Sequence, residues 1–524
     1  MILRALARLA VWGHAFLAIG AYVMLGLYRM PYPLELDCIE GVMMDHVARL
    51  AAGQPIYVAP SLHYIPLAYM PLFATVSSFL ARIWGPEFWE PRAVAFGASL
   101  LLSILMAIVV FAETKRPTLA IAAPGIFLMG FSFNGAAYDI ARPDSLMLLF
   151  TFSGLATLRF TRGLGGAIGA AVLLALGFFT KQHSILFSIA ALAYLVFHDR
   201  KRALPFGVAI VALTAGTYAV LTAWLGEWFR VYTWSIPRGW SQFAPVRIEA
   251  YLGKNLFGTL GVLSVGSLLS LGAAERPNER VALWYWMGLA AVGTGLMATL
   301  DPYAYHHLFM PSMVGMCFLG PIALERVARQ LDAGGTSGRG WGMTVVYLAL
   351  FAQFVALLYP IHSLKPHSKA REAHTAFMDY LKTLPGDVLM PYHGWYDHQS
   401  GREGSLQTIP FEDIGRSRGN ALVKKDPKVL EHMLTPLLAG PNRPWLVMDE
   451  PITQANQPWP MLANSYELAD TLGWITEALR PVAGNRFAPH YVYRPIEPAS
   501  SAITPSPATP APATPAPEAP SLSR

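Results

Sequence analysis

The sequence predicts an all-α polytopic membrane protein of about 11–12 transmembrane helices, followed by a small C-terminal extracytoplasmic α/β domain. Three observations predict it. The 524 residues are 54% hydrophobic and only 14% charged, whereas soluble domains carry about 25% charge. Apolar stretches able to span roughly 30 Å of hydrocarbon recur through the first 360 residues. After residue 361 the hydrophobic density falls, and short runs bounded by Pro and Gly take over.

The opening MILRALARLAVWGHAFLAIGAYVMLGLY sets Arg4 and Arg8 before a long apolar run. A cleaved signal peptide has a shorter core and a small-x-small exit. An uncleaved first transmembrane helix with a cytoplasmic N-terminus is therefore expected. Apolar stretches begin near residues 9, 66, 92, 118, 142, 164, 182, 203, 250, 281, 306 and 341. Residues 38–52 place Ile39, Met43, Val47 and Leu50 on one helical face. Such a short helix should lie in the membrane interface rather than cross.

HDRKR (198–202), AERPNER (274–280) and ERVARQLDAGGTSGRG (325–340) carry positive clusters, the mark of cytoplasmic loops. Working outward from them puts ARPDS (141–145), TKQHS (180–184), the Trp-rich loop 224–249 and DPYAYHH (301–307) on the extracytoplasmic face, and with the N-terminus inside LELDCIEG (34–41) lies there too. Everything after Tyr359 joins them. Twelve crossings would return the C-terminal part to the cytoplasm, so an odd number must span. The segment 118–134, with Pro124, Gly125 and Gly130, is the first candidate for a partial or re-entrant helix. The segment starting at 66 is the other.

The expected organisation is a transmembrane catalytic domain over 1–360, an α/β domain over 361–497 and a disordered Pro/Ala-rich tail over 498–524. Within the α/β domain, 384–394, 443–450 and 489–495 read as short buried strands, and 369–383 and 427–439 as helices. Cys38 and Cys317 stand in a loop and in an apolar segment, which predicts no disulfide framework. A net charge of +6 without a compact basic, aromatic-interleaved run excludes nucleic acid as a partner.

Charges at the edge of a membrane bundle are costly and point to function. Asp37 and Glu40 stand three apart, the spacing of a helix capping box and equally that of an acidic active centre. Arg142 and Asp144 flank Pro143 at a helix start, and can be a local ion pair or a second acidic site. Lys181 can snorkel to headgroups or bind an anion. His306 and His307 can be interfacial. Four polar islands nevertheless share one face, and that mixture suits group transfer from a lipid-linked phosphate to a hydroxyl. The class opposed to it is a membrane transporter or lipid flippase, with the acids as ion or proton sites.

The pattern D-x-x-E-G in the first loop, then RLAAGQPIY (49–57) and YIPLAYMPL (64–72), resembles the membrane-embedded C-type glycosyltransferases. These include protein O-mannosyltransferases and lipid A aminoarabinose transferases. IARPDSLMLLF (140–150) resembles their second acidic site, and GFFTKQHSILF (177–187) a lysine-bearing segment of the bacterial branch. The first loop departs from the adjacent Asp-Glu pair of the O-mannosyltransferases, since Cys38 and Ile39 separate Asp37 from Glu40, and the WWD signature of oligosaccharyltransferases is absent.

The resemblance implies a bacterial inner-membrane hexosyl- or pentosyltransferase. It would move a sugar from a polyprenyl-phosphate donor, with inversion, to a hydroxyl on a glycan, lipid or protein acceptor. It further implies Asp37 as general base, Glu40 as orienter of the acceptor and Asp144 as second acid, with Glu40 and Asp144 candidates for a divalent cation (Mg or Mn). Arg142 and Lys181 would hold the donor phosphate. His63, Tyr64, His183, His306 and His307 would line the substrate site.

Overall fold

The computed structural model describes residues 2–272, 279–303, 305–334, 340–439, 442–453, 460–484 and 486–496. Most of the basic loop 274–280, residues 335–339 and the tail 498–524 lie outside the described residues. Each of the twelve expected apolar stretches is helical: α1 (Ile2–Arg29), α3 (Leu72–Trp84), α4 (Trp89–Thr114), α5 (Pro117–Met129), α6 (Asp144–Phe160), α7 (Gly163–Thr180), α8 (Ile185–His198), α9 (Arg200–Leu225), the pair α10 (Pro245–Thr259) and α11 (Gly261–Leu271), α12 (Glu279–Ala298), α13 (Met310–Gly334) and α14 (Gly342–Ala356). Helix α2 (Ile39–Ala51) lies between the first two.

By length and composition, six helices among the described residues can cross a membrane, or seven if α10 and α11, bent by 94°, form one span. The other apolar helices are shorter than the expected spans. Several are sheltered by their neighbours, so their length need not match the bilayer. Helix α5 has 13 residues, nearly all buried.

Side-chain contacts sort the helix ends into two layers. At the basic end, Glu113 in the last turn of α4 takes Arg159 of α6 at 2.5 Å and the indole N–H of Trp284 of α12 at 3.0 Å. Arg116, before α5, reaches Glu325 of α13, and Arg202 in the first turn of α9 donates to the carbonyls of Leu158 and Thr161. The backbone N–H of Gly342, opening α14, donates to Asp332. At the opposite end, Arg29 closing α1 pairs with Asp139, and Arg92 opening α4 pairs with Glu40. Lys181 after α7 pairs with Asp144 opening α6, and Arg247 of α10 donates to the Thr299 carbonyl after α12.

By these contacts α1, α4 to α9, the α10/α11 pair, α12, α13 and α14 run from one end to the other, which is an odd number. Helix α3 does not. Tyr69, just before it, lies beside Lys181, and Arg82 in its last turn donates to the Leu50 carbonyl of α2. This corrects the expectation for 118–134: that segment traverses the bundle, and the segment starting at 66 lies along one end. The physical reason is packing. A Cβ on Gly125 would sit 2.8 Å from the Ala15 Cα, so glycine lets α1 and α5 approach backbone to backbone. The loop ETKRP (113–117) then joins HDRKR at the basic end.

Helix α2 shows the expected apolar face, with Ile39, Met43 and Val47 buried, but Glu40, Asp45 and His46 are buried as well. Protein rather than solvent covers its polar side: Asp45 accepts from the Gln407 amide at 2.6 Å. The C-terminal region builds a four-stranded sheet in the order β1-β2-β4-β3, from β1 (Val388–Leu389), β2 (Trp445–Met448), β3 (Tyr466–Thr471) and β4 (Tyr491–Pro495). β1 and β2 are parallel, and β4 runs antiparallel to both β2 and β3. Three strands fall inside the predicted runs. The edge strand β3 does not, because its YELADT sequence is exposed at all but the first position and carries no apolar alternation. Helices α15 (Ala370–Thr383), α16 (Thr408–Arg416) and α17 (Val429–Ala439) complete the region. One continuous core links it to the bundle, from Leu34 and Leu36 to Trp395 and Val492.

Candidate active site

The first loop reaches the site already fixed. Arg92 is wholly buried and spends its guanidinium on the chain before α2: Nη1 donates to the Tyr32 carbonyl at 2.5 Å and Nη2 to that of Leu34 at 2.6 Å. Its Nε and Nη2 also clasp Glu40 at 2.9 and 2.6 Å. Glu40 takes two backbone donors besides, Ala141 N–H at 2.8 Å and Leu36 N–H at 2.6 Å. Four donors on two oxygens saturate this carboxylate. Glu40 therefore ties the first loop to the 138–143 loop.

The capping box does not form: the residue before α2 is Cys38, and no side chain caps the helix. Asp37 Oδ1 accepts from the N–H of Ile39 at 3.2 Å, and Glu40 reaches Leu36 instead of Asp37. The Glu40 N–H bonds the Asp37 carbonyl. Asp37 thus shapes the start of α2 with one oxygen and keeps the other for a different partner, Arg142, whose Nε lies 3.7 Å from Oδ2.

Around that pair the polar groups are half-satisfied. Arg142 is buried, yet its Nε and Nη1 have no hydrogen-bond partner. Asp144 opens α6, where the helix dipole favours a carboxylate. Its Oδ1 takes Lys181 Nζ at 2.7 Å, and its Oδ2 is free. Lys181 is set by a break in the chain: α7 ends at Thr180, Lys181 is extended, and a 3-10 turn over Gln182–Ser184 leads into α8. A small recess beside the pair is lined by Asp144, Lys181, His183, Thr294 and Leu308. His183 and His307 each keep an unpartnered buried Nδ1.

The structure thus brings together Asp37, Arg142, Asp144, Lys181, His183 and His307. It places the remaining expected site residues elsewhere. His63 is exposed and bonds the Gly404 carbonyl through Nδ1 at 3.1 Å. The Tyr64 phenol donates to the Ile56 carbonyl at 2.8 Å, and its ring lies under the Arg49 guanidinium. His306 is exposed beside Gly135. Backbone carbonyls thus engage His63 Nδ1 and the Tyr64 hydroxyl proton, and neither residue lines the recess beside Asp144 and Lys181.

A divalent cation does not fit the residues named for it. Glu40 has no lone pair to give, and Asp144 offers one oxygen with an ammonium on the other. Among the described residues no three His, Cys, Asp or Glu side chains converge as ligands.

Neither a protein-family model nor a curated protein matches the sequence. Solved structures do. ArnT from Cupriavidus metallidurans, bound to undecaprenyl phosphate and in the apo state, matches with a TM-score of 0.57 at 12% identity, over 92% of this chain and 97% of that one. The Archaeoglobus fulgidus oligosaccharyltransferase in complex with Zn and sulfate matches with a TM-score of 0.50 at 10% identity, over 84% of this chain and 68% of that one. The fold is the C-type glycosyltransferase fold.

On that fold, the sequence reading passed over one cluster bordering the site. His393 is held between Glu35, at 2.5 Å from Nδ1, and Asp449, at 2.9 Å from Nε2, and its ring stacks on Tyr396. Burial alone would lower its pKa, but the carboxylates of Asp449 and Glu35 push it up to about 10. Burial raises Glu35 to about 7, against the lowering effect of His393. Glu35 stands in LELDCIEG beside Asp37 and Glu40. Its role was hidden because its partner lies 358 residues away.

Proposed function

We propose that the chain is a glycosyltransferase that moves a hexosyl or pentosyl group from a polyprenyl-phosphate donor to an acceptor hydroxyl, with inversion. The observation that carries the proposal is the buried Arg142 guanidinium, with two unpartnered nitrogens beside Asp37 and near the Asp144–Lys181 pair. A buried cation with unfilled donors is a place for an anion. The likeness to ArnT, solved with undecaprenyl phosphate, supports a lipid phosphate as that anion.

Asp37 Oδ2 takes the proton of the acceptor hydroxyl as its oxygen bonds to the anomeric carbon. The bond from that carbon to the donor phosphate breaks, and its electron pair goes to the phosphate oxygen. Arg142 and Lys181 hold the developing charge there, so the weakly basic phosphate leaves without a general acid. Asp144 keeps Lys181 in place through Oδ1. His183 and His307 border the sugar. The reaction sits at the end of the bundle opposite the basic loops, which the positive-inside rule makes extracytoplasmic, together with the C-terminal domain.

The test compares Asp37→Asn with Lys181→Met in transfer from undecaprenyl-phosphate-linked sugars by purified protein. Asn keeps an acceptor for the Ile39 N–H but cannot take a proton. Asp37→Asn should keep its melting temperature and lose about 10²–10⁴ in rate. Lys181→Met should lose roughly tenfold to a hundredfold, the worth of a charge-assisted contact. Full activity in Asp37→Asn refutes the assignment.

A further inference from the structure

The loop that carries Asp37 is gripped from two sides. From the bundle come Arg92 and Glu40, described above. From the C-terminal region come four more contacts on the same few residues. Gln399 donates to the Pro33 carbonyl at 3.2 Å, and the Tyr396 hydroxyl accepts from the Glu35 N–H at 3.1 Å. The Ala483 N–H donates to the Leu36 carbonyl at 2.8 Å, and His393 holds the Glu35 side chain.

A fifth contact comes from a glycine. Gly484 has φ +61°, and a Cβ built there would fall against the Asp37 carboxylate, 2.5 Å from Oδ1 and closer still to Oδ2. The backbone at 484 therefore leaves no room for a side chain beside the carboxylate. Asp37 has a left-handed glycine on one side and the Ile39 N–H on another, and its open direction is toward Arg142.

We propose that the C-terminal domain is a working part of the catalytic site: Gly484 and the Glu35–His393–Asp449 clamp are positioning residues that aim the Asp37 carboxylate at the reacting hydroxyl. The inference rests on the reading of Asp37 as the base. It assigns the domain a role in the chemical step rather than in capturing substrate. None of these residues touches the recess beside Asp144 and Lys181, so donor binding should not depend on them.

The experiment uses the full chain and separates kcat from donor binding. Gly484→Ala pushes a methyl group against Asp37. Gly386→Ala is the control, because Gly386 is also left-handed (φ +67°), lies in the same domain and has nothing within 4 Å of its Cβ position. Both variants carry the same backbone strain, and only one touches Asp37. Gly484→Ala should lose kcat by about 10²-fold, the scale of a misplaced catalytic group, with its affinity for undecaprenyl phosphate unchanged. Gly386→Ala should keep kcat. His393→Ala should also lower kcat without changing that affinity.

Normal turnover in Gly484→Ala overturns the inference, and so does an equal loss in both glycine variants. A joint loss of kcat and undecaprenyl phosphate binding overturns it too, since that would be general damage. If Asp37→Asn is fully active, the base assignment fails first. An inactive Asp37→Asn beside a fully active Gly484→Ala defeats the positioning role alone.

Discussion

Two ion pairs leave the same loop three residues apart and differ in one respect. Glu40 and Arg92 complete each other: both are wholly buried, and every nitrogen of Arg92 and both oxygens of Glu40 have partners. Asp37 and Arg142 are nearly as buried, but the guanidinium keeps two empty donors and approaches the carboxylate only to 3.7 Å. Residue type and spacing are alike. The difference lies in how many partners the fold supplies. A saturated pair is a strut, because nothing can be added to it without removing something. A pair left short of partners in a buried place is poised for a ligand, since the cost of burying bare donors must be offset when that ligand arrives.

Breaking the saturated pair should have the larger effect. Removing one partner of a buried ion pair leaves the other charge uncompensated, at a cost of about 3–5 kcal/mol. Arg92→Met also frees the Tyr32 and Leu34 carbonyls. It should lower the melting temperature sharply or prevent isolation of folded protein. The Asp37→Asn protein should melt like the parent. If Arg92→Met is stable and merely inactive, the contrast between strut and site is wrong.

The contrast also marks how much the sequence could reveal. Asp37, Arg142, Asp144 and Lys181 are legible because a charge in an apolar chain is rare and expensive. Which of two neighbouring acids is saturated is not legible. Glu40 owes its state to Arg92 and to the Ala141 N–H, 52 and 101 residues away, and no local pattern encodes such pairings. That His63 bonds the Gly404 carbonyl, 341 residues away, is equally illegible. The helices were legible from hydrophobicity, but not which of two short ones traverses. Length and glycine content made α5 the candidate for a partial helix, while its burial against α1, close because of Gly125, made it a central helix of the bundle. Gly484 is one glycine among 44 in the chain, and only its neighbour gives it meaning.

A middle-sized effect tests the second grip on the loop. His393 faces Glu35 from the first loop, Asp449 from the end of β2 and the Tyr396 ring from its own segment. Its pKa in the fold is about 10, against roughly 6.5 for a free histidine. A group with a raised pKa binds its proton more tightly when folded, so its stabilisation is fully present below about pH 6.5 and fades as pH rises through 10. The melting temperature of the parent should exceed that of His393→Ala near pH 6, and the gap should narrow steadily toward pH 10. A gap that widens with pH would mean His393 is neutral in the fold and the clamp is misdescribed.

The smallest expected effect concerns metal, and it asks whether the half-satisfied pair is waiting for an anion or a cation. Divalent cations such as Mg²⁺ take several oxygen ligands. The carboxylates at hand are Asp37, with one oxygen on the Ile39 N–H, and Asp144, with one oxygen on Lys181. Each is accompanied by a buried cationic side chain, Arg142 or Lys181, and two fixed positive charges repel a third. The empty donors on Arg142 are N–H groups, which a cation cannot use and a phosphate can. Exhaustive treatment with EDTA, followed by assay in chelated buffer, should therefore leave the transfer rate within about twofold of the untreated enzyme, a difference under roughly 0.5 kcal/mol in the barrier. Added Mg²⁺ or Mn²⁺ should not raise it. A rate abolished by EDTA and restored by Mn²⁺ would show that the carboxylates, rather than the bare guanidinium, define what the site receives.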